Sequence, residues 1–106
     1  MENTLFFHGK TTNGRRFTVA GKFIKKGVIV KNNFLALGIS VCSRNDAFIK
    51  KVGRSKAEGR ILTKGTKGHL LVPIKVSNGG EIKAFIDYAT TLNQTDSREL
   101  QQYFSL

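Results

Sequence analysis

Arg44, Lys50, Lys51, Arg54, Lys56 and Arg60 crowd six positive charges into 17 positions, and Asp46 and Glu58 are the acids among them. Arginine grips a phosphate with two parallel N–H groups, and lysine meets it as a point charge. Arg54 and Arg60 each follow a glycine, Gly53 and Gly59. A neighbour without a side chain lets a ligand or a backbone come close. A plain solvated helix face accounts equally well for Lys50, Lys51 and Lys56. A second group, Thr63 to His69, combines glycines with Lys64, Thr66 and Lys67. Such a turn can fold its amides into a nest around a phosphate, or simply face solvent. A third group, Phe85, Asp87, Tyr88, Asn93 and Arg98, suits a nucleobase and ribose. It offers an aromatic to stack, polar groups for hydroxyls and base edges, and a guanidinium for phosphate; a hairpin followed by an ordinary amphipathic helix is the blander account. Phe6 and Phe7 are adjacent, so on a strand they point to opposite faces and one must leave the main core. That makes Phe7 a further candidate for base stacking or a subunit interface.

Catalytic chemistry finds little to work with. His8 and His69 are far apart, and with the single Cys42 they give no metal-ligand spacing. Cys42 closes an apolar run and pairs with no base, so it reads as a small hydrophobe. Carboxylates are few. The glycine-rich stretch Gly59 to Gly65 lacks the Gly-Lys-Ser/Thr order of a phosphate-binding loop that opens a helix. No catalytic residue, metal or cofactor is expected, and binding remains as the task.

The charge balance agrees. The chain has 106 residues, 18 Lys plus Arg against 7 Asp plus Glu, and net charge +11. Residues 1–67 carry 15 of the bases and 3 acids, net +12; residues 68–106 carry 3 and 4, net −1. Basic charge gathered in one part of a chain seeks polyanions, whether nucleic acid or a smaller phosphate compound. The length fits a single domain over residues 1–106. No window approaches the roughly 18 apolar residues of a membrane span. The first ten residues lack the basic-then-apolar order of a signal peptide, and a single cysteine cannot pair internally, so no membrane contact and a cytoplasmic location are expected.

The elements that must position these groups follow from periodicity and turn chemistry. Leu5 begins a strand, Asn13-Gly14 marks a hairpin, and Phe17 to Phe23 alternates with period two. Turns at Lys25–Gly27 and Asn32–Asn33 would bracket a short strand, Val28–Val30. Phe34 to Cys42 reads as a central strand buried on both faces. Ser43 to Asp46 supplies helix caps, Ala47 to Glu58 a helix, and Gly59 a left-handed stop. On its wheel Phe48, Ile49, Val52, Gly53 and Ala57 share one side, and Gly53 suits close approach by a strand or second chain. Arg60–Thr63 resumes extended structure. His69–Val76 and Glu81–Tyr88 would form a hairpin around Asn78-Gly79-Gly80, with Pro73 putting its strand at an edge or bulge. Thr95-Asp96-Ser97 caps a last short helix, Arg98–Phe104. The expected class is α+β: an N-terminal antiparallel β-sheet, one central helix, a β-hairpin and a short C-terminal helix.

From Gly38 through Val41-Cys42-Ser43, Asp46-Ala47-Phe48, Gly53-Arg54 and Gly59-Arg60, about a fifth of the chain resembles the phage Thoeris anti-defence protein 1 family. These are sponges for immune signalling nucleotides. The resemblance implies a non-enzymatic homo-oligomer in the host cytoplasm. It would capture cyclic ADP-ribose isomers, and in some members cyclic oligonucleotides, without cleaving them. Phosphates would meet Arg44, Lys51, Arg54, Arg60, Lys64, Thr66 and Lys67; base and ribose would meet Phe7, Phe85, Asn93 and Arg98. The competing expectation is a single-stranded nucleic-acid-binding protein of whirly-like architecture. There the basic residues Arg15, Arg16, Lys22, Lys25, Lys26 and Lys31, interleaved with Phe6, Phe7, Phe17 and Phe23, would track a strand.

Overall fold

The structure is a computed structural model, and it describes residues 4–24, 34–42, 47–61, 69–73 and 80–104. Two runs rich in aromatic and β-branched residues flank Thr11 to Arg15 and close into a hairpin of β1 (Leu5–Lys10) and β2 (Arg16–Ile24). Gly14 takes φ 87°, the left-handed backbone that the Asn-Gly pair signals. Thr11 fastens the turn: its carbonyl accepts from Gly14 N–H at 3.0 Å and its hydroxyl from Arg15 N–H at 2.9 Å. With β3 (Phe34–Val41) and β4 (His69–Pro73) these strands make one antiparallel sheet in the order β1-β2-β3-β4. Leu35 through Ser40 are all buried, as expected of a central strand. Pro73, without an amide hydrogen, ends the edge strand β4.

Strand parity divides the sheet into two unlike faces. Phe17 and Val19 of β2 and Leu35, Leu37 and Ile39 of β3 share one face with Phe85, Ala89 and Leu92 of α2 (Gly80–Leu92) and Leu100 of α3 (Ser97–Tyr103). Phe104 completes this hydrophobic core. The opposite face presents small residues, Thr18, Ala20, Gly38 and Ser40, and α1 (Lys50–Gly59) lies on it. The helix sits close because two glycines allow it. A methyl group at Gly38 would collide with the Ala57 carbonyl, and one at Gly53 with the Thr18 hydroxyl. Gly53 therefore serves close approach by a strand of its own chain.

Several expectations need correction. Residues 81–88 are helix α2, not the second arm of a hairpin. Phe85, Ala89 and Leu92, spaced four and three apart, form an inward stripe that pays its way only as a helix, leaving Ile82 and Ile86 outside. The central helix starts at Lys50 rather than Ala47, with extended Ile49 as its N-cap. Its buried stripe is narrow, Gly53 and Ala57, while Ile49 and Val52 stay exposed. Gly59 has no positive φ, and Arg60 continues right-handed at φ −92°, ψ −9° instead of turning extended. The strand Val28–Val30, the turns beside it, the caps at Ser43–Asp46 and the Lys64–Gly68 turn lie outside the described residues. No helix among the described residues is long and apolar enough to cross a membrane.

Candidate functional site

The hairpin register puts His8 opposite Thr18 and Lys10 opposite Arg16, all on the face that carries α1. His8 Nδ1 and Thr18 Oγ1 are hydrogen-bonded at 2.8 Å, directly beneath Gly53. The Phe48 ring stands edge-on to the His8 ring, 5.7 Å between centroids at 76°. On the same ring lies the Arg16 guanidinium, 4.6 Å from its centroid, a cation–π contact. Lys50 and Arg54, one turn apart on α1, bring their charges to the same place. Burial first, then the charges of Lys50, Arg54 and Arg16, hold the His8 imidazolium below the usual histidine range. No carboxylate pairs with Arg16, Lys50 or Arg54 among the described residues, where Lys83–Asp87 on α2 is the ion pair. The charges of Arg16, Lys50 and Arg54 thus all act on His8, and a group of cations of this kind can attract an anion.

Phe48 also lines a groove of about 430 Å³ between the end of β3 and the start of α1. Its other walls include Ser40, Cys42, Ile49, Val52 and Lys56. Ser40 is 8% exposed. The groove is therefore apolar along α1, polar at its floor and cationic at Lys56, a size and mixture typical of small-molecule sites.

The residues singled out from sequence do not assemble in one place. Arg54 belongs to the cluster. Lys51 is exposed on α1. Arg60, at the far end of the helix, donates from Nη1 to the Ile39 carbonyl at 2.6 Å and thereby ties α1 to β3. Phe85 is fully buried in the core, and Phe7 packs against it, 6.4 Å from Phe17 between centroids, so neither is presented for stacking. Of the adjacent pair, Phe6 is the one that leaves the main core. Asn93 Oδ1 accepts from the Lys10 N–H at 3.1 Å, a structural use, and Arg98 is exposed on α3. These four belong to the α2–α3 face or its edge, across the sheet from Arg54. Arg44, Lys64, Thr66 and Lys67 lie outside the described residues.

Phe48 reads from sequence as helix packing and His8 as an ordinary strand residue. The signal that unites them is parity: once Asn13-Gly14 fixes the hairpin, every even residue of β1 and β2 faces the basic helix. No family model matches the chain, and it matches neither a curated protein nor a solved structure.

Proposed function

We propose that this chain is a non-enzymatic sponge for compact anionic nucleotides, of the kind that its residues 38–60 resemble. It binds cyclic ADP-ribose-type signals, and cyclic oligonucleotides as a further class, and releases them unaltered. One observation carries the proposal: Arg16, Lys50 and Arg54 converge on the His8–Phe48 ring pair without a compensating carboxylate among the described residues. The resembling stretch itself supplies Phe48, Lys50 and Arg54 to that cluster. In this scheme Arg54, Lys50 and Arg16 take the phosphates, and the groove beside Phe48 takes the base or ribose, with Ser40 and Lys56 as polar contacts. Exposed Ile49 and Val52 flank the groove and suit a second copy of the chain, which would close the site as a homo-oligomer in the host cytoplasm.

A second proposal has one observation in its favour. Lys10 and Arg16 extend positive charge from α1 onto the β1–β2 hairpin, a longer surface that a single nucleic-acid strand could follow. Titrating the protein with cyclic ADP-ribose isomers, cyclic trinucleotides and a short DNA oligomer separates the two. The sponge requires tight binding of a cyclic nucleotide, recovered intact by chromatography after denaturing the protein. Binding of the oligomer alone would sink it.

A further inference from the structure

We propose that His8 is a direct phosphate ligand that becomes protonated as the anion arrives, so that the site carries three positive charges when empty and four when filled. The inference rests on the anion site described above and goes beyond it by assigning a residue and a proton. The geometry comes first. His8 is held by Thr18 through Nδ1, which leaves Nε2 as the ring nitrogen without a described partner. Phe48 stands edge-on to the ring and fixes its plane from the α1 side. Neither contact neutralises a charge on the imidazole.

Every element packed around His8 brings cations. Arg16 comes from β2, and Lys50 and Arg54 from α1; Lys10, at the next position on the same face of β1, is not among the three charges that act on His8. Thr18 of β2 is uncharged, and Glu58, the acid of α1, lies one turn beyond Arg54. In the empty site, adding a proton to His8 would place a fourth charge among like charges in a partly buried spot, so the ring stays neutral. An arriving phosphate reverses the sign of the local field. Its oxygens favour the imidazolium and accept a hydrogen bond from it. Binding therefore takes up a proton wherever the pH lies between the depressed value of the empty site and the raised value of the filled one.

The sign follows by linkage. Within that window affinity rises as pH falls, by up to tenfold per pH unit for one proton. Below the empty-site value His8 is protonated in both states and the dependence from this group stops. A cyclic ADP-ribose probe suits the test, because the two charges of its diphosphate bridge do not titrate in the same range. The measurement is the His8 ring-proton shift by NMR against pH, with and without cyclic ADP-ribose, with His69 as the internal comparison. It is paired with calorimetry in two buffers of different ionisation heat. An upward move of the His8 titration on binding, matched by proton uptake and a flattened pH profile in His8→Gln, is the expected result. Binding with no proton uptake and an unmoved His8 titration overturns the role of His8 and leaves the anion site standing. Absence of binding at any pH overturns the anion site and His8 together. The NMR titration uses the unmodified chain, so a misfolded variant cannot decide the matter.

Discussion

Arg54 and Arg60 look alike in sequence, each a Gly-Arg step, yet they have different work. Arg54 has a like-charged neighbourhood and no carboxylate against it among the described residues. Arg54 is half-buried but makes no ion pair with a carboxylate among the described residues, so Arg54→Ala should cost less than about 1 kcal/mol of stability in thermal unfolding. It should weaken cyclic ADP-ribose by about 10- to 100-fold, since a hydrogen bond to a charged group contributes about 1.5–3 kcal/mol. Arg60→Ala should do the reverse. It frees the Ile39 carbonyl of a donor in a partly buried place, a loss of about 1–3 kcal/mol in denaturant unfolding. Equal losses of affinity in the two variants would contradict this division. The distinction was not legible in the sequence, because a Gly-Arg dipeptide does not say which backbone carbonyl lies within reach of its guanidinium.

At the scale of elements, α1 is attached by closeness rather than by bulk. Its contact with the sheet is made of Gly38, Gly53, Ala57 and Thr18, whereas the other face is filled by Phe17, Phe85, Phe104 and several leucines. Gly38→Ala places a methyl on the Ala57 backbone and cannot be relieved by a rotamer change, so it should cost about 1–3 kcal/mol or more. Gly53→Ala gains helix propensity of about 1 kcal/mol but drives into Thr18, the residue that holds His8. Its stability loss should be smaller than that of Gly38→Ala, while its effect on anion binding should be larger. Urea unfolding and ligand titration of the two variants check the order; equal effects on binding would contradict it. The antiparallel sheet, the buried β3, the edge proline and the Asp96 cap, whose carboxylate accepts from Glu99 N–H at 2.8 Å, could all be read in advance. Helix α2 could not. Ile82, Ala84, Ile86 and Tyr88 alternate as well as any strand, and the choice fell to the apolar sheet face that Phe85, Ala89 and Leu92 had to cover.

For the whole molecule, the two faces of the sheet divide the labour. The α2–α3 side holds the core, and the α1 side holds the charge, with Arg16, Lys50 and Arg54 facing outward from a thin layer of small residues. A compact nucleotide meets few of the 18 basic residues, so its affinity should fall shallowly with salt. A DNA oligomer following the hairpin would lose affinity with a slope near −0.7 per phosphate neutralised. Measuring both slopes between two salt concentrations tells a seat from a track; a steep slope for the cyclic nucleotide would contradict a compact seat. The hairpin turn bears on more than the site. Asn13 donates from Nδ2 to the Ser97 hydroxyl at 2.7 Å and accepts the Ser97 N–H at 2.9 Å, and Thr12 N–H reaches the Thr95 carbonyl at 2.8 Å. These bonds join positions up to 84 residues apart in the chain. During synthesis the first hairpin therefore leaves the ribosome with its latch open, and it stays so until the last helix has emerged. The amides of Lys10, Thr12 and Ser97 then gain protection from solvent exchange in a single late event, not in the order in which they were made.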